Sequence, residues 1–410
     1  MTNKKERNDT FFTIFSKGTI LLINLIITGC IMQFWGAEGK GYQTVFITNF
    51  AIIAIVTNIF NNSSIAFFVQ KVGASKLYAQ ACIWTFVSSS VCVFVFYCIG
   101  NSYFLVLLLA TSILSGFLSF HNAIYIGMQK IKYFNLLSVL QPLFVLVFMF
   151  ILYKTTNSTY VDYFYAYIIS LIIVISIAFF LTRKTVGKMK FQIDFSITKR
   201  SFNYGFQNEL SNLFQLLVRR LSIYFLLYYL GAASLGVFAV GMSIAESIWI
   251  FSKSISMVQY SKIIHEGNTQ NARKGVITAS IFSVVISLLC ILIILLIPNA
   301  LLTLVFTNEF LEGKKIILLL SPGVLCFAFS TIYGHYFAAI GKMKILVLHS
   351  VTAVLITLVA SIFIIPVWKI YGVCVITSFA YFVSSAIIIG YFILMKDKGK
   401  YLIHNTVDYD

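Results

Sequence analysis

Charged residues are scarce in this chain. They fill only 10% of its 410 positions, and acidic ones are the scarcer kind, with 13 Asp and Glu against 30 Lys and Arg. Ordinary soluble domains carry about 25% charged residues, so a soluble globular protein is excluded. No Gly-rich loop followed by Lys-Ser/Thr occurs, which excludes ATP-driven transport by this chain alone. No nucleophile elbow is present, and the five histidines are scattered. Cys30, Cys82, Cys92, Cys98, Cys290, Cys326 and Cys374 all fall within apolar runs, none at metal-ligand spacing with a histidine. They read as small buried hydrophobes. No metal or organic cofactor is expected, and the chain reads as a non-enzyme.

What fills the chain is apolar. Hydrophobic residues make up 60% of it, and its mean hydropathy is +0.92. A helix needs about 20 mostly apolar residues to span a bilayer. On that rule the chain is an all-α polytopic membrane protein with about twelve transmembrane helices. The first six runs are Phe11–Met32, Thr44–Val69, Ala79–Ile99, Tyr103–Ile126, Phe134–Tyr153 and Val161–Leu181. The second six are Glu209–Leu230, Ala233–Val258, Val276–Ile297, Ile316–Ile340, Ile345–Ile365 and Gly372–Met395. The first run is too long for a signal-peptide core and no small-residue cleavage site follows it, so it is read as a span. The second is interrupted by the polar Asn61-Asn62-Ser63-Ser64.

The excess of cations lies between these runs. One side would hold Lys4, Lys5, Arg7, Lys71, Lys76, Lys130 and Lys132, the cations Arg183 to Arg200, then Lys262, Arg273, Lys274, Lys342, Lys344, Lys396, Lys398 and Lys400. The other would hold only Lys40, Lys154, Lys314, Lys315 and Lys369. Loop cations mark the cytoplasmic face, so both termini are expected in the cytoplasm. The +17 net charge thus sets topology, and no nucleic-acid partner is expected, because no basic face interleaved with aromatics lies outside the spans.

The reading divides the chain into a six-helix bundle 1–181, a cytoplasmic linker 182–200, a second six-helix bundle 201–395 and a cytoplasmic tail 396–410. An internal repeat supports the division. Gly36-Ala37-Glu38-Gly39-Lys40-Gly41 follows the first span, and Gly231-Ala232-Ala233-Ser234-Leu235-Gly236 follows the seventh. Lys130-Ile131-Lys132 and Lys342-Met343-Lys344 also occupy matching loops. Such halves are parallel repeats about an axis along the membrane normal. Pro142, and Pro322 with Gly323, fall inside spans and are candidate hinges.

Charges inside a bilayer are costly and face partners or hydrated cavities. Arg219 and Arg220 lie in the seventh span and Glu246 in the eighth. At about 1.5 Å per residue, Arg220 and Glu246 come to similar depth. One arginine then pairs with Glu246 while the other faces a cavity, or the set is purely a structural pair. Lys17, Asn24 and Lys253 are further candidates for a cationic cavity, although both lysines can snorkel. Glu209 and Glu246 are candidate ion-coupling groups or structural partners. His121 reads as a packing residue. A guanidinium fork matches phosphate oxygens, so the substrate expected is anionic and phosphate-linked.

Several stretches resemble one family. They are Arg220-Leu221, Leu230-Gly231, Leu235-Gly236-Val237-Phe238 and Ala245-Glu246-Ser247-Ile248-Trp249, preceded by Trp35-Gly36-Ala37-Glu38-Gly39-Lys40-Gly41-Tyr42. Gly127-Met128-Gln129-Lys130 with Gln141-Pro142-Leu143 fits too, as does Phe306-Thr307-Asn308-Glu309-Phe310 ahead of Leu320-Ser321-Pro322-Gly323. Their order resembles that in Wzx-type O-antigen flippases, which share a superfamily with multidrug extruders and lipid II flippases. Ser222 departs from the family, which often has an acidic residue there. The resemblance implies two pseudo-symmetric bundles forming a V around a central cavity. It also implies movement of an undecaprenyl-pyrophosphate-linked oligosaccharide between leaflets of the bacterial inner membrane, driven by H⁺, Na⁺ or the membrane potential, with membrane lipid and other polysaccharide-assembly proteins as partners.

Three rivals remain. A multidrug extruder would carry acidic groups in the membrane interior of the first bundle, but none of its six apolar cores holds an Asp or Glu, Asp162 lying at an outer edge. A lipid II flippase would have more spans. A polysaccharide polymerase or ligase would have a large outer loop.

Overall fold

The computed structural model describes residues 2–395 except 101–103, 157, 188, 190 and 267–268. It is helical throughout, with no strand among the described residues. The helices are α1 (Thr2–Asn61), α2 (Ser63–Val72), α3 (Ala74–Cys98), α4 (Leu105–Gly127), α5 (Ile131–Thr155), α6 (Val161–Val186), α7 (Phe195–Glu266), α8 (Thr269–Leu296), α9 (Asn299–Phe306), α10 (Gly313–Ala339) and α11 (Met343–Leu394). Nine of these, among the described residues, are long and apolar enough to cross a membrane. Three of the nine are each cut in two by a non-helical residue: Gly36 in α1, Gly231 in α7 and Lys369 in α11. Nine helices with three cuts give the twelve spanning segments that the apolar runs predict. The tail 396–410 lies outside the described residues, as do the side chains of Lys4, Lys5 and Arg7.

Both repeat motifs prove to be breaks rather than loops. Gly36 has φ 65° and ψ −169°, and Gly231 has φ 78° and ψ 179°. This region is essentially open to glycine alone, so one residue turns the chain and helix resumes at once. The linker is likewise shorter than expected. Helix α6 runs on to Val186 and α7 begins at Phe195. Asp194 opens α7, its carboxylate accepting from the Ser196 hydroxyl at 2.8 Å and from the Ser196 and Ile197 N–H groups. The Ser196 hydroxyl first, then the Ile197 N–H, holds this carboxyl below the ordinary Asp range.

The chain groups into two compact units. One comprises Met1–Trp35 with Tyr42–Leu216, the other Gly36–Gly41 with Leu217–Asp410. In the first, Ile23, Ile27 and Ile31 of α1 pack with Phe46, Val145, Met149 and Phe164. Its helices approach closely at small residues. A Cβ on Gly116 of α4 would lie 2.6 Å from the Thr85 methyl and 2.8 Å from that of Thr57, and one on Gly205 of α7 would lie 1.8 Å from the Ile59 carbonyl oxygen. His121 is buried with its Nδ1 2.8 Å from the Thr182 hydroxyl, the packing role expected of it. In the second unit, Ile332, Tyr333, Phe337, Ile388 and Phe392 form the core. Arg273 donates to the Met395 and Phe392 carbonyls at 2.5 and 2.9 Å, capping the end of α11.

Neither α5 nor α10 is interrupted at its proline. Pro142 lies within Ile131–Thr155 and Pro322 within Gly313–Ala339, while the breaks fall at Gly36, Asn62, Gly231 and Lys369. Gly323 lets α11 come close, a Cβ there lying 2.7 Å from Ser378 Cα. The Ser378 hydroxyl donates to the Leu319 carbonyl at 2.7 Å, in the turn that Pro322 disturbs.

Candidate functional site

The site is built on the two glycine breaks. A Cβ on Gly41 would lie 1.9 Å from the Ala232 carbonyl oxygen, and one on Gly236 would lie 1.8 Å from that of Ala37. The contact is reciprocal: each motif's last glycine meets the other motif's alanine. Only hydrogen side chains permit this backbone approach. Above it, Glu309 accepts from the Ala37 N–H at 2.5 Å, placing a carboxylate at the restarted helix's positive end.

The close crossing carries Lys40 inward. The outer-loop position expected for Lys40 is corrected by the structure: it is 4% exposed and lies in the fields of Arg220 and Glu246. Gly36 turns the chain within a single residue, so Lys40 is already one helical turn inside.

Arg220 Nη2 lies 3.3 Å from Glu246 Oε2, an ion pair between the two halves of α7. Both side chains are about a quarter exposed, at 25% and 28%, so the pair is open on one side. Tyr381 feels the charges of Arg219, Glu246 and Arg220. Trp249 packs on Phe327 with ring centroids 4.1 Å apart and on Tyr381 edge-on at 5.7 Å. The Trp249 Nε1, the Tyr381 hydroxyl and Glu246 Oε1 are all buried without a hydrogen-bond partner.

Lys40, Arg219 and Arg220 are thus grouped around Glu246. At an effective dielectric of about 20, unit charges 4 Å apart interact by about 4 kcal/mol, so a second anion would be held strongly. The arrangement can bind a multivalent anion with forked and point-charge donors, aided by two neutral N–H and O–H donors.

The remaining predicted residues lie elsewhere. Lys17 and Asn24 are exposed on α1 in the first unit, and Lys253 is exposed on α7 in the second. Glu209 belongs to the first unit and is buried at 2% exposure, with Asn212 donating to its Oε2 at 3.0 Å. Asp162, at the start of α6, accepts from the Thr156 hydroxyl and the Thr159 N–H, a local cap. Sequence reasoning missed Lys40, Trp249, Tyr381 and Glu309. For Lys40 a signal existed, since a Gly-Ala-x-x-x-Gly motif that recurs at a second helix start marks a tight turn more than a loop.

No protein-family model and no curated protein matches the chain. Solved structures do. An inward-facing multidrug resistance MATE transporter of the MOP superfamily aligns at TM-score 0.72 and 15% identity, covering 92% of this chain and 94% of that one. The lipid II flippase MurJ, in an inward closed conformation, aligns at TM-score 0.72 and 14% identity, covering 94% and 87%. A MOP-superfamily transporter from Pyrococcus furiosus, described as having a binding pocket of reverse polarity that suggests a different function, aligns at TM-score 0.64 and 16% identity, covering 94% of each chain. The chain is a multi-pass membrane protein with the fold of the MOP-superfamily transporters.

Proposed function

We propose that this protein is a flippase for an undecaprenyl-pyrophosphate-linked oligosaccharide, a repeat unit of O-antigen or a similar surface polysaccharide. It would act in the bacterial inner membrane, with both termini cytoplasmic. The observation that carries this reading is the charge of the cluster: Lys40, Arg219 and Arg220 are grouped around Glu246, so the positive charges outnumber the carboxylates. A pyrophosphate brings the negative charge that the cluster is short of, and it can take the open side of the Arg220–Glu246 pair. A site for organic cations would have the opposite sign. The Pyrococcus furiosus relative supports the premise that, within this fold, pocket polarity varies with function. The order of motifs resembling Wzx-type flippases adds the oligosaccharide. Sugars and headgroup would cross by alternating access while the prenyl tail stays in lipid. Membrane lipid and the other proteins of polysaccharide assembly are the partners this reading implies.

The test is a host in which the gene is deleted. Lipid-linked repeat units should accumulate on the cytoplasmic leaflet and surface polymer should vanish, with dye and drug tolerance unchanged. Complementation with Arg220→Ala should fail at normal membrane abundance. One charge-assisted bond is worth about 1.5–3 kcal/mol, or roughly 10- to 150-fold in phosphate affinity. Arg220→Lys, which keeps the charge and loses the fork, should be intermediate. Intact polymer with drug sensitivity would make the protein a multidrug extruder, and accumulation of cell-wall precursor would make it a lipid II flippase.

A further inference from the structure

Of the three breaks inside long helices, two are made by glycine and the third by Lys369. Lys369 has φ 51° and ψ −134°, a sparsely populated conformation that strains a residue with a side chain and costs glycine little. The reversal around it is tight. A Cβ on Gly372 would lie 3.1 Å from the Ile364 carbonyl oxygen and 3.1 Å from the Trp368 Cβ, so the chain turns back on itself between Ile364 and Gly372. Lys369 stands at the tip of that turn and is exposed.

The tip carries charge and apolar surface together. Lys315, in the first turn of α10, reaches across to α11, its Nζ lying 4.3 Å from the centroid of the Tyr371 ring. A second ammonium group is thereby held two residues along the chain from Lys369, on the same rim. Glu312, just before α10, is exposed and outside ion-pair distance of Lys315 among the described residues, and Glu309 is engaged by the Ala37 N–H. Val367 and Trp368, next to Lys369, are 72% and 56% exposed, and Phe363 is 71% exposed. An exposed Trp between apolar residues and a lysine fits a bilayer interface, where the indole sits at headgroup level. Loop cations predict that this end faces outward, the side on which cations are sparse. With Lys40 turned inward, Lys314, Lys315 and Lys369 all remain at this one end of the second unit.

We propose that this rim binds the headgroup of an anionic phospholipid, with the Lys315 and Lys369 ammonium groups toward its phosphate and Phe363, Val367 and Trp368 along its acyl chains. A lysine kept at a strained position that glycine would fill without strain points to a task for its side chain. Two ammonium groups call for an anion. The exposed apolar residues beside them call for an anion that carries hydrocarbon, so inorganic phosphate would satisfy only half of the rim. A lysine near an anionic lipid surface is worth roughly fivefold in affinity. Bound lipid would tie the start of α10 to the break in α11. Lipid binding here does not depend on what the protein transports.

The experiment uses the purified full-length protein in detergent micelles at low ionic strength, titrated with brominated phosphatidylglycerol or with brominated phosphatidylcholine. The signal is quenching of the part of the tryptophan fluorescence that Trp368→Phe removes. Phosphatidylglycerol should quench it at a concentration roughly 25-fold lower than phosphatidylcholine. Lys315→Gln and Lys369→Gln should each cost about fivefold of that preference, and the double variant should treat the two lipids alike. Lys369→Gly should lose the same fivefold, yet melt about 1–3 °C above the wild type in phosphatidylcholine micelles, because it relieves the backbone. Equal quenching by the two lipids in the wild type would overturn the proposal, as would an undiminished preference in the double variant. So would displacement of phosphatidylglycerol by undecaprenyl pyrophosphate at a lower concentration than unbrominated phosphatidylglycerol needs, which would assign the rim to a polyprenyl lipid.

Discussion

Substituting Gly41 by alanine tests the reciprocal glycine crossing, because it adds one methyl to a contact made by backbone. The new Cβ would sit 1.9 Å from the Ala232 carbonyl oxygen, where contacts under 3.0 Å are not tolerated. The segments must therefore part by at least about 1.1 Å, the difference between these distances. No rotamer change relieves the clash, since the atom struck belongs to the main chain. Overpacking of this kind costs about 1–3 kcal/mol, and alanine's better helix propensity returns at most about 1 kcal/mol. A main-chain clash this short sits at the upper end of that range, so Gly41→Ala should be net destabilised by about 2 kcal/mol, with a matching fall in melting temperature of the detergent-solubilised protein. Gly236→Ala should behave alike, since its Cβ would meet the Ala37 oxygen at 1.8 Å. The double variant should cost clearly less than the sum, because the parting that admits one methyl makes most of the room for the other. Gly390→Ala is the control: nothing lies within 4 Å of its Cβ position, and it should be neutral or slightly stabilising. Equal melting temperatures for Gly41→Ala and Gly390→Ala, or strict additivity in the double variant, would refute the reciprocal crossing.

Glu246→Gln should lower membrane abundance and melting temperature, because Arg220 and Lys40 lose their shared counter-charge. The pair is a quarter exposed, so the cost should be about 1–2 kcal/mol rather than the 3–5 of a fully buried pair. Lys40→Met in the same chain should recover part of it. Tyr381→Phe should leave stability unchanged or raised, since the hydroxyl it removes is buried without a partner. The same variant should reduce polymer export several-fold if that hydroxyl serves the anion, and unchanged export would remove Tyr381 from the site.

How much of this was legible without coordinates depends on which residue is asked about. Apolar runs identify the spanning segments because bilayer thickness fixes a helix's length, and the structure's twelve segments follow that count. Arg220 and Glu246 were placed together by depth alone. Their contact works because both are reckoned from the same break, Gly231, and the long arginine side chain absorbs the residual offset. Lys17 and Asn24 could not be placed that way, since depth says nothing about facing. They lie seven residues apart and so share a face, about 100° around the helix from Ile23, whose stripe with Ile27 and Ile31 is the packed one. Lys40 was misread for a related reason. A count of loop cations assumes that a charge between two apolar runs stands in a loop, and at Gly36 there is none. Trp249 and Tyr381 look in sequence like any other aromatic residue of a membrane helix, and only the absence of partners for their polar atoms distinguishes them. The arrangement has a physical logic that unites these cases. A glycine break lets two helices restart in backbone contact, and that contact brings a lysine inward beside an arginine that only one carboxylate accompanies. Those few charges are concentrated at one place in the second unit, and the scarcity of charge elsewhere in the chain is what makes them informative.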